Sequence, residues 1–274
     1  MRTFQNKVAV ITGAGSGLGR ALALQLNQAG AHLALCDLNQ AGLEETRSLL
    51  SNPALNTTLH QVDVSSREQM QAFAVDVLAS HHRVDLLINN AGISLTPKFF
   101  DDITEDQFEK VININLWGVY HGVRAFLSHI KNSPEATIVN MSSTAGLVGL
   151  PTYSAYSMTK FAVRGLSEAL QSELSQTAVS VLVVFPGGIK TNIMKNAPDL
   201  TESNREAAHN TFTKAALLTP EAAARQILRA VQKKKHRLVL GPDAKLFFAI
   251  RNLFPNQFPK IFYNIFGQMV NQQK

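Results

Sequence analysis

Val8-Ala9-Val10-Ile11-Thr12-Gly13-Ala14-Gly15-Ser16-Gly17-Leu18-Gly19 passes from an apolar, β-branched pentad, through four glycines, into a helical pattern. From Leu18 to Ala29 apolar residues recur at helical spacing, and Gly30 supplies a C-terminal stop. A glycine-rich turn between strand and helix lets backbone approach a pyrophosphate. The helix N-terminus adds unpaired N–H groups and a favourable dipole. The plainer alternative is an ordinary tight turn. The strand–turn–helix context near the N-terminus favours the nucleotide.

Outward from this unit the pattern repeats. Further apolar runs stand at His32 to Cys36, Leu59 to Val62, Val84 to Ile88, Thr137 to Met141 and Val179 to Phe185. Helical patterns separate them near 40–50, 67–81, 105–130 and 153–175. Strands apolar throughout, alternating with helices, predict a doubly wound parallel α/β sheet covered on both faces. No repeat or low-complexity linker divides the chain. Residues 187–218 are polar and read as a long functional loop. Thr219-Pro220-Glu221 then starts a helix, Arg237 to Leu240 reads as a last strand, and a Phe-rich tail follows.

The chain has 274 residues, 45% hydrophobic and 17% charged, which suits one large domain and excludes global disorder. Its net charge of +6 is unevenly placed. Residues 229–274 hold nine Lys/Arg and one acid, Asp243, leaving 17 Lys/Arg and 19 Asp/Glu in the rest. The basic character therefore belongs to the tail, and a nucleic-acid-binding body is not indicated. The single cysteine, Cys36, excludes an internal disulfide and a Cys-based zinc site, and suits a reducing compartment. The scattered histidines carry no metal-ligand spacing, and His81-His82 read as the solvated end of a helix. Trp117 reads as a core or interface residue. No secretory leader and no membrane-spanning run is legible. The expected location is cytoplasmic.

Three side-chain patterns carry chemistry. Asp37 ends the second strand, where a carboxylate can bond an adenosine ribose diol and repel a 2′-phosphate; as an alternative it caps the next helix. No cation for that phosphate stands at Ser16 or Leu38, so NAD is favoured over NADP. Tyr156 and Lys160, at i and i+4, share a helix face, and an ammonium there would favour the phenolate. Ser143, just past the fifth strand, could bond a substrate oxygen, although alone it reads as a loop serine.

Taken together these residues resemble the short-chain dehydrogenase/reductase family over about residues 5–241. The Thr-Gly-x-x-x-Gly-x-Gly string lies at Thr12 to Gly19. Asn-Asn-Ala-Gly lies at Asn89 to Gly92, and Tyr-x-x-x-Lys at Tyr156 and Lys160. Pro-Gly…Thr lies at Pro186-Gly187-Gly188-Ile189-Lys190-Thr191. The resemblance implies a Rossmann-like domain over residues 1–243, extended by a basic, amphipathic segment over 244–274. It implies a catalytic set in which Tyr156 is the general acid/base and Ser143 orients the substrate oxygen. Lys160 lowers the phenol pKa and contacts the nicotinamide ribose, and Asn115 holds a relay water. It implies cofactor contacts at Gly13, Ser16, Gly17, Leu18, Gly19 and Asp37, and at Asp63 and Val64 beside the adenine. Further contacts fall at Asn90, Ala91, Gly92, Tyr156, Lys160, Pro186 and Gly187, with Ile189 and Thr191 at the carboxamide. No metal is implied, and a homodimer or homotetramer is.

The expected activity is an NAD-dependent interconversion of a secondary alcohol and a ketone, or an aldehyde, on an apolar substrate of steroid, retinoid or fatty-acyl type. A catalytically idle NAD-binding regulator and a membrane-associated scaffold are the rival readings. In the tail, Ile261, Phe262, Ile265, Phe266, Met269 and Val270 form one helical stripe beside Lys260. The stripe either packs on protein or lies on an anionic membrane surface, with the Lys233–Arg237 run against head groups.

Overall fold

Side chains alternate across a strand, so a strand apolar on both faces must be covered by helices on both sides. The computed structural model, which describes residues 1–264, has that arrangement. In chain order come β1 (Val8–Thr12), α1 (Gly17–Gln28), β2 (His32–Asp37), α2 (Gln40–Ser48), β3 (Thr57–Gln61), α3 (Arg67–His81) and β4 (Leu86–Asn89). Then α4 (Glu105–Ile112) passes through a wide π turn, Asn113–Trp117, into α5 (Gly118–Lys131). β5 (Ala136–Met141), α6 (Ser154–Glu173), β6 (Val179–Pro186), α7 (Glu202–Ala215), α8 (Pro220–Gln232) and β7 (Arg237–Leu240) follow. α9 (Pro242–Leu253) and α10 (Phe258–Phe262) complete the described chain. The seven strands form one sheet, ordered β3-β2-β1-β4-β5-β6-β7 and parallel throughout. This is a single-domain, Rossmann-like doubly wound fold.

Neighbouring residues of β1 show how the two faces are filled. Ile11 points into a layer with Leu22, Leu26, Ile227 and Val231 from α1 and α8. Val10 points into the opposite layer, with Phe73, Val77, Phe126 and Leu87. Burying one such side chain contributes about 1.5–3 kcal/mol, and both layers run the length of the sheet. A third cluster joins Leu147 and Val148 to Val183 and Phe185, and Phe258 and Phe262 of α10 close it.

Three expectations need correction. Residues 187–218 are not all loop, because α7 lies within them. That helix has no buried residue, so no apolar stripe announces it. His81 is buried rather than solvated, and its Nε2 lies 3.0 Å from Thr58 Oγ1. Burial first, then the neighbouring His32, His60 and His82, pull its pKa down to about 4. Trp117 is 45% exposed and so is no core residue. Of the tail stripe, Ile265, Phe266, Met269 and Val270 lie outside the described residues. No described helix is long and apolar enough to cross a membrane.

Candidate active site

The chain leaves β1 outward to β2 and β3, then returns to β4 on the other side of β1. The connections diverge there, opening a crevice at the C-terminal ends of the strands. The glycine-rich turn lines it. Gly13 and Gly17 adopt φ +66° and +52°, which favour glycine. A Cβ on Gly19 would sit 2.0 Å from Gly13 O, so α1 can start this close to the turn only with glycine there. Ser16 is the N-cap of α1 but its side chain makes no capping bond, leaving the first helical N–H groups free to meet an anion. Leu18 is buried behind them.

Asp37 stands at this turn. Its Oδ2 accepts the Gly15 N–H at 2.9 Å and its Oδ1 the Asn39 N–H at 2.9 Å. The helix cap is Asn39, whose side chain accepts from Gly42, and not Asp37. Arg20 braces the same turn from outside, donating to Gly15 O at 2.6 Å and to both oxygens of Glu45 at 2.6 and 2.7 Å.

The Asn-Asn-Ala-Gly segment closes the other wall. Thr12 Oγ1 accepts the N–H groups of Asn90 and Ala91 at 2.9 and 3.0 Å. Asn90 Nδ2 donates to Thr12 O and Gly13 O. Asn90 therefore ties β4 to the glycine-rich turn. Gly92 faces the catalytic candidates, since a Cβ there would lie 3.1 Å from Asn115 Oδ1 and 3.5 Å from Lys160 Nζ. Asp63 turns back on its own loop, where Oδ1 accepts from Ser65 N and Oγ, while Val64 packs under Gly118.

Asn115, Ser143, Tyr156 and Lys160 converge on the crevice. Asn115 is fully buried in the π turn, marked by Gly118 N–H reaching Asn113 O. Such turns favour functional positions. Its amide bonds the Ile93 backbone on both sides, N–H to Oδ1 at 2.8 Å and Nδ2 to O at 2.9 Å. The Ser143 hydroxyl accepts from Ala145 N–H and lies beside the Tyr156 phenol. Burial raises the pKa of Tyr156, and the neighbouring Ser143 hydroxyl works against that rise. Lys160 is also buried, which lowers its pKa to about 8. Its Nζ donates to Met141 O at 3.0 Å and stands 5.5 Å from the centre of the Tyr156 ring.

After β6, Thr144 Oγ1 donates to Pro186 O, and Ile189 is buried and bridged to Leu218. Thr191 crosses the crevice, so that a Cβ on Gly17 would lie 3.2 Å from its side chain. Farther along, Asp199 accepts from Thr96 N and Oγ1 and pairs with Lys98 Nζ at 2.8 Å, joining that loop to the segment after β4. A cavity of about 10 Å³ remains beside Tyr156, lined by Leu95, Ile103, Thr152, Tyr153 and Ala155. A wider groove of 710 Å³ at the start of β6, with Ser175, Ser180, Lys234 and His236, contains none of these residues. Thr12, Arg20 and Asp199 escaped the sequence reading because their partners are distant in sequence. Only the placement of Thr12 inside the glycine-rich string hinted at a role.

The sequence profile described as short chain dehydrogenase matches residues 7–202. The chain belongs to the short-chain dehydrogenase/reductase family. It is 38% identical to the Mycobacterium tuberculosis protein SadH, named as an oxidoreductase, over 95% of each chain. It is 35% identical to the dehydrogenase/reductase SDR family member 7B of Xenopus tropicalis, covering 93% of this chain and 84% of that one. Among solved structures, a Burkholderia phymatum short-chain dehydrogenase/reductase in complex with NAD superposes with a TM-score of 0.84. It is 30% identical and covers 92% of this chain and 95% of its own. As a member of the short-chain dehydrogenase/reductase family, the chain is an oxidoreductase that uses a nicotinamide dinucleotide and acts on CH–OH groups.

Proposed function

We propose that this enzyme uses NAD to interconvert a secondary alcohol and a ketone, or an aldehyde, on an apolar substrate such as a steroid, retinoid or fatty-acyl compound. The observation that carries the reading is the Tyr156 phenol at the crevice, with Ser143 and Lys160 beside it. The walls support an apolar substrate, because Leu95, Ile103 and Ala155 face the cavity next to Tyr156. Asp37, with no counter-cation for a 2′-phosphate at Ser16 or Leu38, supports NAD. Relatives differ here, since an alcohol dehydrogenase from Thermococcus sibiricus is complexed with 5-hydroxy-NADP.

When bound, the dinucleotide supplies or takes the hydride. The chain does the rest. In the reducing direction the Ser143 hydroxyl holds the substrate oxygen, and Tyr156, kept protonated by burial, passes it the phenolic proton. Lys160, anchored on Met141 O, presents its remaining N–H groups to the ribose side. Asn115 fixes the Ile93 backbone, and with it the wall that carries Leu95.

Steady-state rates with NAD(H) and NADP(H) test both halves. Wild type should have the higher kcat/KM with NAD(H), and Tyr156→Phe should retain cofactor binding while losing about 10²–10⁴-fold in kcat. Normal turnover in the variant would remove Tyr156 from the mechanism, and absence of turnover in wild type would favour the idle-regulator reading. A preference for NADP(H) would remove the Asp37 argument.

Self-association through α5 and α6 is supported by exposed Trp117, Tyr120, Met158 and Phe161. Peripheral attachment to an anionic membrane is supported by α9 and α10. There Leu246, Leu253, Phe254 and Tyr263 are exposed, and Lys245, Arg251 and Lys260 have no acidic residue among them.

A further inference from the structure

Asp243 is the single acidic residue between Arg229 and Lys274. It stands in the first turn of α9, directly after Gly241 at φ +92° and Pro242. Its side chain turns away from the tail and back to the end of β6. Oδ2 accepts the Gly188 N–H at 2.8 Å. The surroundings are shaped to this carboxylate. A Cβ on Gly187 would fall 2.1 and 2.2 Å from its two oxygens, and one on Gly241 would fall 2.4 Å from Oδ1. Both positions therefore have to be glycine while Asp243 stays where it is. Oδ1 is buried and has no hydrogen-bond partner among the described residues. A bare buried carboxylate oxygen is costly. The rest of α9 holds Asp243 in place, since Phe247, Phe248 and Ile250 pack against the cluster built by Leu147, Val148, Phe185 and Phe258.

We propose that Asp243 is a positioning residue for the nicotinamide end of the cofactor, holding the Pro186–Gly188 turn in the shape from which Ile189 and Thr191 reach the crevice. The proposal rests on the reading of Pro186 to Thr191 as the nicotinamide-contacting stretch. It also brings α9 into the cofactor site, although no part of α9 lies in a recognised motif. Asp243 acts through the backbone of Gly188 and touches no reacting atom.

The discriminating measurement is binding of NADH and of ADP-ribose, which lacks the nicotinamide, to the full chain by titration calorimetry. Asp243→Ala should weaken NADH by about tenfold, the loss of one hydrogen bond to a charged group. ADP-ribose should change by less than about twofold. Asp243→Asn keeps an oxygen for the Gly188 N–H and should restore most of the NADH affinity. If Asp243→Ala yields no folded protein, Gly187→Ala displaces the carboxylate without removing it and should show the same selective loss. Equal losses for both ligands, or none for either, would overturn the proposal. Thr191→Ala separates it from the reading beneath it. Selective NADH loss in Thr191→Ala but not in Asp243→Ala sinks the role of Asp243 alone. No selective loss in either variant sinks the assignment of the whole stretch, and the proposal with it.

Discussion

Lys160 keeps an ammonium inside the protein, with the carbonyl of Met141 as its hydrogen-bond partner. Its folded pKa of about 8 lies below the ordinary 10.5, so the unfolded chain binds the proton more tightly. The penalty is therefore complete below pH 8 and fades as pH rises from 8 towards 10.5. In cofactor-free protein, Lys160→Met should melt higher than wild type at pH 7, and the gap should narrow by pH 10. A gap that stays constant across that range would mean that Lys160 is not a buried charge. Tyr156 and Lys160 stood out as candidates through the family motif, since a Tyr and a Lys four residues apart prove little by themselves. Their environment was not legible. Burial moves both groups towards their neutral forms, and no pattern along the chain states that Lys160 Nζ takes Met141 O as its partner.

At the level of elements, a buried polar ladder fixes the helix that carries the catalytic candidates. Asn89 on β4 donates to Asn140 Oδ1 on β5 at 2.8 Å, Asn140 Nδ2 donates to Ser167 Oγ on α6 at 3.0 Å, and Ser167 Oγ donates to Val163 O. Asn140→Ala would leave Asn89 Nδ2 without its acceptor and Ser167 Oγ without its donor, both buried. Each unsatisfied group costs about 1–3 kcal/mol. Urea unfolding of Asn140→Ala should show a loss in that range or up to twice it; a loss near zero would mean the ladder does not hold α6. Strands and helices with buried faces were legible because burial leaves a pattern in the sequence, an unbroken apolar run in β1 and a helical stripe in α8. α7, with no buried residue, leaves none. The π turn at Asn115 leaves none either, because its five residues fit the helical pattern on both sides.

Across the whole molecule, the tail is divided between two environments. Phe258 and Phe262 are buried against the body, at about 1.5–3 kcal/mol each, while Leu253 and Phe254 face outward at 72% and 51% exposure. The basic run is divided as well. Arg237 lies between the rings of Phe185 and Phe248, 5.0 and 4.6 Å from their centres, and Lys234 pairs with Glu135 at 2.8 Å. Counting charges along the sequence overstated what that run can offer a partner. Deleting residues 244–274 should uncover the aromatic cluster and give aggregation, seen by light scattering. Replacing Leu253 and Phe254 by serine should leave a monodisperse, active enzyme that no longer pellets with anionic vesicles at low salt. Wild type that stays in the supernatant with those vesicles would end the membrane reading.

Asp37 does two things with one carboxylate, and this constrains anyone who wants to redesign the enzyme. The acid proposed to select NAD also ties Gly15 to the corner before α2. A library built at position 37 alone samples mostly chains whose phosphate turn has come loose, and it will score cofactor exchange as loss of function. Arg20 and Glu45 hold the turn from the other side, so positions 15, 20, 37 and 45 form one unit of variation. A lineage drifting from one dinucleotide to the other meets the same order of events: the brace is rebuilt first, and the acid is exchanged afterwards.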